Sequence, residues 1–363
     1  MGAYTPRVAD GTVLHGVVRD HLETFLATVA ARSDGVGLPA FVEREFRSFL
    51  RCGLLVHGFV RVRCDGCAFE RLVPFSCKAR AVCPSCGGRR MAERAAHLVD
   101  AVLPTVPVRQ WVLTVPHRLR YRLAFDHTLC RAVVGVFVRA VLGDYRRRAR
   151  HRGVRDGQGG CVTVIQRFGS GLQLNVHAHT LALDGIFTEA ADGTLRFHPA
   201  PPPTDVKVGR LLATIRTRIL RLLRRRGVLG EPEAADAPDP LAEASAALAG
   251  IASAAVQGRA ALGPRAGARV LQIGRVPGLP WITSTGPRQA HLDGFDLHAN
   301  VAVAANNRDG LEQLARYVLR PPIAQERLTR TADGRVLLTL KAEWTDGTTA
   351  LLFEPVEWSS PRA

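Results

Sequence analysis

The stretch Leu172-Gln173-Leu174-Asn175-Val176-His177-Ala178-His179-Thr180-Leu181-Ala182-Leu183 decides the fold. It is mostly apolar, broken by Gln173, Asn175, Thr180 and two imidazoles spaced two residues apart. Side chains at i and i+2 of a strand project from one face, so both rings can share a ligand while Ala178 faces a core on the other side. Upstream, Gly169-Ser170-Gly171 reads as a turn and Cys161 to Phe168 as a partner strand. A two-residue hairpin loop sets His177 opposite Val164, His179 opposite Val162 and Gln166 opposite Asn175. Gln166 then shares the histidine face and can offer an oxygen to a metal. A one-residue slip would send it to the other face. Two imidazoles and an amide oxygen suit Mg²⁺ or Mn²⁺ with open positions for phosphate oxygens. By itself, H-x-H equally describes two satisfied core histidines.

Further out, Gln110 to Val115 reads as a strand ended by Pro116, Leu123 to Arg150 as a helix, and Lys207 to Arg226 as a basic helix. Asp309 reads as the N-cap of a helix over Leu311 to Leu319, stopped by Pro321-Pro322. Tyr317 lies on that helix between Arg316 and Arg320. Tyrosine is an accepted covalent nucleophile, and the two guanidinium groups could hold a phosphate beside it. A core tyrosine on an amphipathic helix is the plainer alternative.

Near the N-terminus, Cys64-Asp65-Gly66-Cys67 and Cys83-Pro84-Ser85-Cys86 form C-x2-C-x15-C-x2-C, the spacing of a four-thiolate Zn²⁺ site. Cys52 and Cys77 fall outside it. Either reads as a buried small apolar residue, and Cys77 could also sit near the metal. Cys130 and Cys161 read as core. Arginines border the cluster, which suits a DNA-binding module as well as a solvated face.

The chain has 363 residues, with 49 Lys+Arg against 32 Asp+Glu, a net charge of +17. All but Lys78, Lys207 and Lys341 of these bases are arginine. Such an excess disfavours an ordinary neutral metabolic enzyme and favours a polyanionic partner. No apolar run reaches the length of a membrane span or a signal peptide, so the expected location is cytoplasmic, with nucleoid association and no membrane. The organisation expected is a zinc-binding domain over 1–100, alternating strands and basic helices over 101–230, a flexible Ala/Pro-rich insertion with one weak Ala helix over 231–268, and a tyrosine-bearing part that returns to strands over 269–363. Arg146 to Arg152 and Arg216 to Arg226 are candidate tracks for a single strand. Trp111, Trp281, Trp344 and Phe168 are candidate stacking surfaces.

The H-apolar-H strand, the upstream strand and the downstream Tyr helix resemble the HUH single-strand endonucleases. Five longer strings resemble the transposases of the insertion sequence 91 family: Phe75-Ser76-Cys77-Lys78, Cys83 to Met91, Arg109 to Thr114, Asn175 to Gly185 and Arg316 to Pro322. The resemblance covers about residues 12–356. It implies an α+β architecture, with an N-terminal zinc-binding module carrying helices followed by an HUH-type antiparallel β-sheet nuclease domain flanked by helices. It implies that His177 and His179 hold the metal and that Tyr317 attacks single-stranded DNA at transposon ends and target. A 5′-phosphotyrosine then forms and a 3′-OH is released, in rolling-circle-like transposition. Some members carry a second tyrosine where this chain has Gln313, which implies the one-tyrosine type. Relatives continue with a basic tail beyond Leu351 to Pro355, which implies a shortened copy. Two alternatives are a non-catalytic zinc-bearing relic of such a transposase and a related replication initiator or relaxase.

Overall fold

The computed structural model describes residues 8–229, 239–275 and 286–359. Thr12 caps α1 (Val13–Ala31) by accepting from the His15 N–H, and α2 (Ala40–Arg51) follows. Their facing apolar stripes bury Leu14, Val18, Phe25 and Phe46. The chain then makes a hairpin, β1 (Phe59–Arg63) with β2 (Glu70–Pro74), and enters α3 (Pro84–His97).

The central sheet starts with β3 (Val108–Thr114). Two helices follow, α4 (His117–Phe125) and α5 (His127–Arg150), where one was expected over Leu123 to Arg150. Asp126 separates them, and its carboxylate caps α5 through the Leu129 N–H. Next come β4 (Cys161–Phe168), β5 (Leu174–Leu183), a small hairpin of β6 (Gly185–Glu189) and β7 (Leu195–Pro199), and α6 (Asp205–Arg225).

From Asp239 to Gly267 the chain is folded: the Ala helix expected there is present, and the segment around it, expected to be flexible, is packed. It forms α7 (Pro240–Ala244) and α8 (Ala246–Gln257). Ser245 caps α8, and Gly258 ends it in the left-handed region at φ 64°. Leu248, Ile251 and Val256 are buried, and His117 Nε2 bonds the Val256 carbonyl. Alanine's small side chain lets this helix approach α4 and β5 closely. Residues 231–238 lie outside the described residues, as does Trp281.

β8 (Leu271–Ile273), β9 (Gln289–Leu292), β10 (Phe295–His298) and β11 (Ala302–Val303) lead to α9 (Arg308–Leu319). Asn307, not Asp309, is the N-cap of α9: its side chain accepts from the Gly310 N–H. The last elements are β12 (Leu328–Arg330), β13 (Val336–Thr339), β14 (Ala350–Phe353) and α10 (Pro355–Ser359).

The central sheet runs β4-β5-β3-β10-β9, with β11 also on β3, and every pairing is antiparallel. One face, with Trp111, Leu113, Val176, Ala178 and Ala182, packs on α4, α5, α6 and α8. The other carries Leu181 and Leu183 beneath Leu311, Leu314 and Val318 of α9. A second sheet, β12-β13-β14-β8, shares a core with α1, α2 and the cysteine-rich turn through Leu338, Leu351 and Phe353. The expected boundary at residue 100 therefore divides the chain but not this core.

Leu338→Ala should cost about 2–5 kcal/mol. Urea unfolding followed by circular dichroism measures the loss. Amide exchange in α1 and α2 should quicken with it, because those helices sit on the same core.

Candidate functional site

The thiols divide in a way that spacing does not foretell. Cys52, Cys77, Cys83 and Cys86 form one cluster, with ligand atoms all within 4.8 Å of one another. Sγ–Sγ separations are 3.7 Å for Cys52–Cys86, 3.6 Å for Cys77–Cys86 and 3.6 Å for Cys83–Cys52. A tetrahedron with Zn–S of about 2.3 Å has edges of about 3.8 Å, so the cluster fits zinc. Cys64 and Cys67, expected to complete the site with Cys83 and Cys86, are exposed at the hairpin tip and do not join it. The correction follows from the hairpin. Arg63 pairs with Glu70, so Cys64 and Cys67 sit beyond the last rung, whereas Cys52 and Cys77 flank its base. Five residues of strand at about 3.3 Å each hold tip and base about 16 Å apart. Cys52 lies seven residues before β1 and Cys77 three after β2, so no regular spacing marked them as partners.

The cluster's ionisation also calls for a cation. Hydrogen bonds from the Cys77 and Cys83 thiols pull Cys52 down to about 2, and those same hydrogen bonds to Cys52 push Cys83 up to about 12 and Cys77 higher still. One thiolate thus suppresses its neighbours, and a dication removes that conflict. Cys83 and Cys86 lie at the N-terminus of α3, where the helix dipole favours thiolates.

On the central sheet, His177 pairs with Gln166 and His179 with Val164, a shift of two residues from the expected partners. A bulge between Gln166 and Phe168 absorbs the difference, and an even shift keeps Gln166 on the histidine face. There its amide N–H donates to the carbonyl of Val318 at 2.7 Å and lies 3.4 Å from that of Tyr317. Gln166 thus ties β4 to α9.

The two imidazole centroids are 4.9 Å apart, and the Tyr317 ring stands edge-on to His179 at 5.9 Å. His177 Nδ1 donates to the Asn175 carbonyl at 2.7 Å. His179 Nδ1 lies 2.9 Å from the side-chain amide of Gln110, itself buried on β3. Burial depresses both imidazoles, His179 to about 3 with help from His177 and Arg320, so both rings are neutral at pH 7. Their lone pairs are available to a metal. His179 Nε2 and Asn175 Oδ1 are buried and have no hydrogen-bond partner among the described residues. Asn175, His177 and His179 share one strand face, and all three line a cavity of about 540 Å³ with Gln110, His298, Tyr317 and Arg320. This donor set fits a divalent ion. Gln110 and His298 escaped the sequence reading because they come from β3 and β10, and only strand order brings them to β5.

The expected arginine pair is divided. Arg320 lies over the Tyr317 ring, 4.3 Å from its centroid. Arg316 turns away and pairs with Glu312 one turn earlier, at 2.6 Å, so it does not face the cavity. Several candidates for handling DNA are structural instead. Trp111 is buried and donates to the Tyr145 hydroxyl, Arg147 pairs with Asp144, and Arg152 bonds the Pro199 carbonyl.

Two family models match the chain. One, described as "Transposase zinc-binding domain", matches residues 17–115, and the other, described as "Putative transposase", matches residues 160–358. No curated protein and no solved structure matches. The first match and the four-thiol cluster together support a structural zinc.

Cys52→Ser and Cys77→Ser should release the zinc, whereas Cys64→Ser and Cys67→Ser should keep one zinc in the cluster. Elemental analysis of the purified variants reads the difference. Retention in Cys52→Ser with loss in Cys64→Ser would contradict the assignment.

Proposed function

The chain belongs to the transposases of the insertion sequence 91 family, and from that premise we propose that it cuts and rejoins single-stranded DNA through a covalent bond to Tyr317. The observation that carries this reading is the meeting of His177, His179, Tyr317 and Arg320 around one cavity. A tyrosine 45% exposed, beside buried imidazoles with a free nitrogen, is placed to serve a substrate rather than a core.

In the proposed reaction the Tyr317 oxygen bonds to phosphorus, the bond to the 3′-oxygen of the preceding nucleotide breaks, and a 5′-phosphotyrosine results. The phenol gives up its proton and the departing 3′-oxygen takes one, so charge balances. One diester replaces another, and rejoining needs no nucleotide cofactor. Mg²⁺ or Mn²⁺ bound here would polarise the phosphate and offset developing charge. His177 and His179 would hold it, with the Asn175 side-chain oxygen as third donor. Gln166, the candidate from sequence, would act instead by holding α9 over the sheet. The Gln110 side-chain amide nitrogen lies against His179 Nδ1; with that amide turned over, its oxygen would accept from Nδ1–H and Nε2 would be free to ligate. Arg320 is placed to bind the phosphate, while Arg316 is spent on Glu312.

Gln313, one turn before Tyr317 on the exposed side of α9, leaves a single phenol on this helix, in keeping with the one-tyrosine type. The partner proposed is single-stranded DNA at element ends and target, with action at the nucleoid. Among the described residues no helix is long and apolar enough to cross a membrane.

With Mn²⁺ and single strands from the element's ends, the protein should form a covalent adduct stable to denaturation. Tyr317→Phe should abolish it, and a wild-type protein that forms none with any such strand would refute the mechanism. Gln110→Leu should weaken Mn²⁺ binding about 10–100-fold, read by paramagnetic resonance of free Mn²⁺.

A further inference from the structure

A second cavity, of about 730 Å³, opens beside the first. One wall is the zinc-stapled part, with Arg80 before α3 and Arg94 within it. The others come from the end of β4, the segment after α9 and the start of the loop after β13. Six cations line it: Arg80, Arg94, Arg167, Arg320, Arg327 and Lys341. None of the six forms an ion pair among the described residues, although many arginines elsewhere do. Glu326 is the one acid in the lining.

Arg80, Arg94, Arg167 and Lys341 are exposed, while Arg320 and Arg327 are half-buried and Arg327 is anchored. Arg327 donates to the carbonyls of Thr339 and Ser170, both at 2.6 Å. Burial, then repulsion from Arg320, depresses Arg327; burial, then Arg320 and Arg327, depresses Lys341. Cations that repel one another in a partly desolvated cleft are relieved by a bound anion. The cavity shares Phe168, Gly169, Ser170 and Arg320 with the Tyr317 cavity, so one polyanion can occupy both. Phe168 offers a ring for a base to stack on. The volume is that of a site for a drug-sized ligand, enough for a few nucleotides of one strand.

We infer that this cleft binds the stretch of single-stranded DNA next to the phosphate at Tyr317. Arg320, Arg327 and Lys341 take its phosphates together with Arg94 from the opposite wall, which the zinc module forms, and Phe168 takes a base. Binding by the cleft stands independently, and only its adjacency to a cut phosphate rests on the reaction proposed above.

The test uses the full zinc-loaded chain and a fluorescein-labelled oligothymidine strand, with anisotropy read across a salt series. Arg94→Gln with Lys341→Gln should weaken binding about tenfold and reduce the slope of log K against log salt by about 1.4, at about 0.7 per phosphate contact. Both residues are exposed, and unchanged melting and zinc content show that the fold persists. Arg196→Gln, an exposed site on β7 outside both cavities, should leave both values alone. Unchanged affinity and slope in the double variant, or an effect confined to Arg196→Gln, would overturn the cleft. Wild-type binding through the cleft without any Tyr317 adduct would overturn the nuclease reading and leave the cleft standing. An adduct with no change in the double variant's binding would do the reverse.

Discussion

The buried ion pair between Arg109 and Asp184 sets the frame on which the rest depends. Its guanidinium reaches both carboxylate oxygens, at 2.7 Å for the closest contact, and also bonds the Ala299 carbonyl. Tyr145 of α5 donates to the same carboxylate at 2.8 Å, and burial keeps that phenol protonated. One cluster thereby joins β3, the end of β5, the chain beyond β10 and a helix of the opposite layer. Removing one partner of such a pair typically costs 3–5 kcal/mol, because the other charge is left buried. The larger consequence concerns register. Arg109 and Gln110 point to opposite faces, so the bond that fixes Arg109 also fixes Gln110 against His179. A slip of one residue in β5 would turn both histidines into the apolar layer.

The central sheet was legible because its signals are local. The strands, the turn at Gly169 and the face shared by His177 and His179 follow from a period of two over a short run. So does the side of the sheet taken by Gln166, since an even shift in pairing preserves it. The zinc ligands were legible only in part. Cys83 and Cys86 sit in one helical turn, whereas Cys52 and Cys77 meet through the base of a hairpin, a relation that spacing cannot encode. Arg316 was misjudged because Glu312, one turn back, competes for it. The Ala-rich segment was misread because its few large side chains, Leu248, Ile251 and Val256, fall on one buried face of α8. Composition averages that pattern away.

The zinc cluster and the tyrosine helix are close neighbours in space, though 231 positions separate Cys86 from Tyr317. α3 packs directly on α9, and a Cβ at Gly87 would meet Pro321 Cβ at 3.0 Å. Glycine at 87, immediately after a zinc ligand, thus lets the end of the tyrosine helix seat on the thiolate turn. The metal's structural contribution extends past its own module to the placement of α9.

The order of strands in the central sheet governs when the protein becomes competent during synthesis. β3, β4 and β5 are complete by residue 183, but β10, which flanks β3, and β9 beyond it lie past residue 288, and α9 follows them. The helices α1 and α2 wait longer still, since their core is finished by β13 and β14. A chain emerging from the ribosome therefore carries its histidines well before its tyrosine, and buries its first helices last. A chain interrupted before α9 therefore lacks the helix that closes the cavity over its histidines.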